Sequence, residues 1–402
     1  MDTKSFDYGS FWLFVKPPKP ILVLAVLGLL VIGIGYVAIL MKMVSGPKVV
    51  IQKPPSSISS SIGKASSSKE TSFASKVVSS VVNVDTTSRK LVKLWLKIGD
   101  LAFETLLLVQ VLESGSPTAI IAVYTIVVAS NALTCAVLMF LPLDRMGLIS
   151  TLVDLLFDLA VAVGCPMFVL VYCLSSFNFP REKLAINLEV FPAGWFEQQA
   201  SVIADPVQTA VIYKILKSLR VSTVMDFFAR LGVHATLFLR LRQFVHLIQN
   251  PSKQKNRVYP SRHRIAATFF AIFSVLLFVF VGQSMRTSAI ACRPHPECIV
   301  NARRWTFIES GSLTQCPCLM LIDRDIAPKT FAEWQQPKNM TEKVAQLASR
   351  GDLQTLQLTN RFLPVLPDEL SRCTEMRHLS LEYTHTQTLP DWIKNYTKLE
   401  FL

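Results

Sequence analysis

Two aspartates four residues apart, Asp154 and Asp158, sit inside an apolar run from Leu148 to Leu174. That spacing puts both carboxylates on one face of a helix. A charge at mid-bilayer costs several kcal/mol unless it is paired or neutralised. An intramembrane acidic pair therefore points to a basic partner on another helix, or to an ion or proton path. A second group is Cys292, Cys298, Cys316 and Cys318, with His295 between the first two. These ligands suit either two disulfides or a zinc site. Cys316 and Cys318 are poorly placed to pair with each other, so the disulfide reading joins each to Cys292 or Cys298. A third group is Asn339-Met340-Thr341 and Asn395-Tyr396-Thr397, the only two glycosylation acceptors in the chain. No Gly-rich phosphate loop, zinc-protease helix motif or nucleophile elbow is present. His234 and His246 have no ligand partners at useful spacing. An enzyme reading thus has no positive feature, and no cofactor is expected.

The elements that must position these groups are apolar helices. Half of the residues are apolar and 17% are charged, which is too apolar for an ordinary soluble domain. Ile21 to Met41, Thr118 to Leu143 and Ile265 to Met285 carry no charge at all. Each is long enough for a membrane-spanning helix, and Leu148 to Leu174 is a fourth. The first run lies behind Lys-Pro-Pro-Lys-Pro and is too long for a cleaved signal peptide. Residues 91–112 are leucine-rich but carry Lys93, Lys97, Asp100 and Glu104. They read either as an interfacial amphipathic helix or as a fifth span.

Charge suggests an orientation. Residues 175–264 hold 13 Lys and Arg against 5 acids, whereas the stretch after 286 is nearly neutral. Basic residues stay on the cytoplasmic side. The expectation is a cytoplasmic 175–264 loop with basic helices on the inner membrane surface, and a C-terminal part outside the cytoplasm, at the plasma membrane. Arg230, Arg240 and Arg242 lack the every-third-residue spacing of a voltage sensor. The net charge of +13 is mostly a topology signal. A nucleic-acid partner would need a soluble basic domain, and there is none. The expected partners are the lipid bilayer and an unknown protein or glycan, with homo- or hetero-oligomers left open.

The resulting map has a tail at 1–20, a helix at 21–41 and a Ser-rich disordered linker at 42–90. The ambiguous helix at 91–112 follows, then a two-span hairpin at 117–174 and the basic loop at 175–264. The last span is 265–285, followed by a Cys-containing module and cap at 286–350. The linker holds 14 serines in 49 residues and too few large apolar groups to fold.

Residues 351–402 repeat every 23 positions. Leu353, Leu356, Leu358, Leu366, Pro367, Leu370 and Cys373 recur as Met376, Leu379, Leu381, Leu389, Pro390, Ile393 and Tyr396. A third copy begins at Leu399 and Leu402, and further copies are expected beyond it. Leu356 and Leu358 alternate with Gln357, which reads as a short strand with one buried face. A single copy cannot bury that face alone, so copies must stack. The pattern resembles the leucine-rich-repeat family, over roughly the last fifty residues. It departs from it at Arg361 and Thr384, which stand where the family has Asn, and at Thr386, which replaces Leu363.

That resemblance implies an α-helical multi-pass membrane region followed by a short α/β leucine-rich-repeat solenoid, incomplete at its C-terminus. The layout is similar to multi-pass leucine-rich-repeat membrane proteins of oomycetes. A ligand would meet the concave strand face at Thr355, Gln357, Thr359, His378, Ser380 and Glu382. The function expected is recognition, as a receptor, adhesion protein or assembly subunit. The alternative is an ion channel or transporter regulated by the repeats, for which Asp154 and Asp158 are the supporting feature.

Overall fold

A computed structural model describes residues 19–44, 86–140, 147–177, 205–219, 221, 224–249, 264–304, 315–325, 330–399 and 402. The tail at 1–18, most of the serine-rich linker and the basic stretch 250–263 lie outside the described residues. The chain forms a helical N-terminal region and then a small sheet.

The helices are α1 (Lys19–Val44), α2 (Thr86–Glu113), α3 (Thr118–Phe140), α4 (Gly147–Leu159), α5 (Cys165–Ser176), α6 (Pro206–Ser218), α7 (Val224–Gln249) and α8 (Arg264–Cys292). A π-helical turn, Ala160–Gly164, joins α4 to α5 into one rod. Among the described residues, three helices are long and apolar enough to cross a membrane: Thr118–Phe140, Gly147–Ser176 and Arg264–Cys292. Helix α1 adds a shorter apolar stretch, Val26–Met41.

Small side chains let α3 and α8 pack closely. Ala129, Ala132 and Ala136 on α3 are fully buried, and Ser274 of α8 donates to the Ala129 carbonyl at 2.9 Å. The α2–α3 turn needs Gly115, whose φ is +72°. A Cβ there would lie 2.6 Å from Val300 Cγ1 and 2.8 Å from the Asn301 carbonyl oxygen. This close approach seats the helical hairpin against the first strand.

Helix α7 packs lengthwise against α1, α2 and α4. Gly28 and Gly35 of α1 meet Phe227 and Phe238 of α7 in the same order, so the two helices run in one direction. Helix α6 packs against the sheet instead, where Ala210 is buried with Val300, Ala302, Met320 and Ile322. Within the expected basic loop at 175–264, the described helix Val224–Gln249 is an element of the bundle, where its polar groups meet partners, and Pro206–Ser218 touches the sheet.

The sheet order is β1 (Cys298–Asn301), β2 (Cys318–Arg324), β3 (Thr355–Thr359), β4 (His378–Glu382). The β1/β2 pair is antiparallel and the other two pairs are parallel. Leu321, Leu356 and Leu379 lie in one register row beneath the sheet. They share a core with Val344 and Leu347 of a short helix, Thr341–Ala348, and with Leu370. Two 3₁₀ helices, Asp368–Arg372 and Asp391–Asn395, repeat at the same 23-residue offset as β3 and β4. Asn360 and Tyr383, also 23 apart, share a positive φ of 53° and 54°.

Candidate functional site

The helical bundle is apolar outside and charged inside. Lys97, Asp100 and Glu104 follow one face of α2 at helical spacing. All three are essentially inaccessible, while Trp95, Leu96 and Leu106 of the same helix are exposed. Lys97 Nζ lies 3.0 Å from Asp154 Oδ1 and 3.7 Å from Asp100 Oδ2, and it donates to Asn131 Oδ1 at 2.5 Å. Arg240 of α7 reaches Asp100 Oδ2 at 2.7 Å, pairs with Asp158 Oδ1 and donates to the Asp154 carbonyl at 3.1 Å. Asn131 Nδ2 donates to both oxygens of Glu104 at 2.9 Å, and Thr236 donates to Asp100 Oδ1 at 3.0 Å. Six ionisable groups from three helices, with an asparagine from a fourth, thus form one network.

Asp154 and Asp158 are therefore brought together on one face of α4, and each meets a base from another helix. Sequence reasoning did not place Lys97, Asp100, Glu104, Asn131 or Arg240 in a site. The usable signal was the spacing of Lys97, Asp100 and Glu104 in a leucine-rich run. The exposed side of this helix is the apolar one, and its charges face inward.

Above this cluster, toward the sheet, lies a cavity of about 470 Å³. Leu107, Tyr124, Val161 and His234 border it from the bundle, and Arg304, Asp352 and Gln354 from the sheet side. Lys214 of α6 bonds Gln354 across this junction, and the Arg303 amide donates to the Leu112 carbonyl at 2.9 Å.

The cysteine module pairs Cys292 with Cys316 and Cys298 with Cys318, with sulfurs 1.93 and 2.08 Å apart. These are bonding distances, so all four thiols are consumed. The bonds fix the end of α8 and strand β1 to β2. Around them, Glu297 accepts from Lys338 at 2.8 Å, with Lys343 at 3.7 Å. Burial alone would raise the Glu297 carboxyl. The Lys338 hydrogen bond and the charges of Lys338 and Lys343 outweigh it and hold it below the ordinary value.

The expected concave-face residues occupy one side of β3 and β4, in register with Met320, Ile322 and Arg324 of β2. They are not the open row that alternation alone implied. Thr355, Thr359 and His378 are buried, whereas Gln357, Ser380 and Glu382 are half-buried. Thr359 accepts from Arg324 and donates to Glu382, both at 3.3 Å. Thr355 stands between Met320 and His378, and Thr359 between Arg324 and Glu382, so longer neighbours on adjacent strands cover them, which the pattern of a single strand does not reveal.

Departures from the repeat pattern have local partners. Arg361 pairs with Asp323 at 2.7 Å and Asp325 at 3.3 Å. Thr386 donates to the Leu363 carbonyl at 2.7 Å, one copy earlier. Tyr396 fills the slot of Cys373 and donates to the Leu370 carbonyl at 2.5 Å. Cys373 is a buried thiol, pushed up to about 11 by burial. Asn339 and Asn395 are both exposed.

Comparison of the chain with protein-family models, with curated proteins and with solved structures found no match.

Proposed function

We propose that this chain is a multi-pass membrane protein that holds a leucine-rich-repeat-like recognition module outside the cytoplasm, for a protein or glycan partner. The observation that carries the reading is the paired strand and 3₁₀ unit. Its two copies stack in parallel register at a fixed 23-residue offset, in the same sheet as β1, which follows a 29-residue apolar helix. Stacked units of this kind are one-dimensional surfaces that grow by adding copies, and their use is binding.

The membrane part of the reading rests on the inverted bundle. Val31, Ile34, Val275 and Leu276 face outward and are more than half exposed, while the charges are buried. In water that surface would be an aggregation hazard; in lipid it is the expected one. On this reading α1, α2, α3, the α4–α5 rod, α7 and α8 all cross. The sheet, α6 and the α2–α3 turn share one side. The basic residues Lys253, Lys255, Arg257 and Arg262 between α7 and α8 then stay cytoplasmic. The exposed sequons at Asn339 and Asn395 fall on the outer side with the sheet.

The contact surface available on the strand face is Gln357, Ser380 and Glu382 with Arg324. The test is display of the full chain on cells against arrayed glycans and secreted proteins. A binder should lose at least tenfold in affinity on Gln357→Glu with Ser380→Glu. Unchanged affinity would move the site off this face. Absence of any binder across repeated panels would count against recognition itself.

A further inference from the structure

We propose that Glu104 and Asp158 form a proton-binding site inside the bundle, loaded from the cavity on the sheet side. The proposal goes beyond the recognition reading and rests only on its membrane part. Among the described residues, the cluster has four carboxylates, Asp100, Glu104, Asp154 and Asp158, against two cations, Lys97 and Arg240. Uncompensated charge in a low-dielectric interior costs several kcal/mol per ion. Among the described residues, carboxylates thus outnumber cations in the cluster.

Geometry shows where cations are short. Asp100 has both cations and the Thr236 hydroxyl, and Asp154 has Lys97 at 3.0 Å. The deficit falls on the other two. Among the described residues, Glu104 has only the neutral Asn131 amide as a hydrogen-bond donor. Asp158 gives one oxygen to Arg240, while its Oδ2 is fully enclosed with no hydrogen-bond partner. One oxygen each from Asp100, Glu104 and Asp158 lie within 4.8 Å of one another. Tyr36 of α1 and Cys165 of α5 are also within electrostatic reach of Asp158 and Glu104 respectively, and neither brings a positive charge.

The ligand chemistry follows from the neighbours. A metal ion at this triad would sit against Arg240, which already occupies Asp100 and Asp158. A proton needs only one acceptor oxygen and adds no bulk. Uptake is simply addition of H⁺ to a carboxylate, giving a carboxyl that donates to its neighbour, with no other reactant. Once Asp158 is neutral, Arg240 is held chiefly by Asp100, so loading weakens the ionic tie between α4 and α7.

Access comes from the sheet end. Leu107 and Val161 border the cavity and lie three residues beyond Glu104 and Asp158 on the same helices. Its floor is therefore about one helical turn, roughly 5 Å, above the pair. The π turn Ala160–Gly164 begins two residues after Asp158 and contributes Val161 and Ala162 to the lining. Such single π turns interrupt helices mostly at functional positions.

The test is infrared spectroscopy of the purified full chain in lipid nanodiscs, following the absorbance of protonated carboxyl groups against pH. The expected result is a protonated-carboxyl band at neutral pH that Glu104→Gln or Asp158→Asn abolishes or halves, unaffected by sodium, magnesium or calcium. Deuterium exchange of that band should slow at least tenfold in Val161→Trp, which plugs the cavity. Glu104→Gln keeps its Asn131 partner and so tests the site even if Asp158→Asn misfolds. No band at neutral pH in folded protein overturns the proposal. So does a cation-dependent rise in Tm of the native chain that Glu104→Gln removes, which would make the site a metal site. Resistance to alkaline carbonate extraction reports membrane insertion separately, so failure of the proton site and failure of the membrane reading are distinguishable.

Discussion

Replacing Arg240 with leucine removes a side chain that bridges α2, α4 and α7. Its guanidinium meets Asp100 at 2.7 Å, pairs with Asp158 and caps the Asp154 carbonyl at 3.1 Å. The variant leaves Asp100 and Asp158 without their guanidinium partner. Breaking a buried pair by deleting one partner costs about 3–5 kcal/mol, most of it the stranded charge. Asp158→Asn is expected to be far milder, about 1–2 kcal/mol, because the amide oxygen still accepts from Arg240 and the amide is as neutral as the proton-loaded carboxyl it replaces. The informative variant is the double one. If the groups form one network, Arg240→Leu with Asp158→Asn should be more stable than the sum of the singles by about 1–3 kcal/mol. Thermal unfolding of the four proteins in nanodiscs gives the cycle. Additive losses would refute the network, as would a neutral Arg240→Leu.

The sheet supplies three further expectations. Denaturing without reductant should expose four alkylatable thiols, Cys135, Cys165, Cys173 and Cys373, with Cys292, Cys298, Cys316 and Cys318 appearing only after reduction. In the native state at mildly alkaline pH Cys373 should stay unmodified, because burial keeps its thiol protonated. Gly351→Ala should destabilise the sheet by about 1–3 kcal/mol, since φ is +76° and a Cβ would stand 2.7 Å from the Arg372 carbonyl oxygen; unchanged Tm would contradict this. The depressed Glu297 carboxyl stabilises the sheet above the ordinary glutamate value of 4.5, and that contribution is lost as pH falls through its lower folded value. Glu297→Gln should therefore flatten the acid limb of the stability profile, and an unaltered limb would count against the Lys338 tie.

How much of this was legible in the sequence depends on the range of the interaction. Apolar runs of bilayer length and the 23-residue period are local signals, and they located α3, α4–α5, α8, β3 and β4. The cysteine pairing was narrowed to two solutions, and the sulfur–sulfur distances of 1.93 Å for Cys292–Cys316 and 2.08 Å for Cys298–Cys318 separate them. Residues 91–112 were left as an interfacial helix or a further span, and α7 was read as a basic surface helix, because each carries charges that look solvated in one dimension. Lys97 is buried only because Asp154 approaches from α4, and Arg240 only because Asp100 and Asp158 do. Such compensation between helices leaves no periodic trace. The burial of Thr355, Thr359 and His378 is likewise invisible in one strand: the alternation of Leu356 and Leu358 turns Thr355 and Thr359 away from the core, and neighbouring strands cover them.

The central claim is that α7 crosses the bilayer inside the bundle, with the sheet and α6 on the outer side. The direct measurement is the accessibility of single introduced cysteines to a membrane-impermeant thiol reagent in intact cells. Ser175→Cys, at the exposed end of α5, and Ser252→Cys, in the basic stretch before α8, bracket the question. The account predicts labelling of Ser175→Cys from outside, together with glycosylation at Asn339 or Asn395, and labelling of Ser252→Cys only after permeabilisation. Protection of both positions in intact cells would return 175–264 to one cytoplasmic loop and contradict the account.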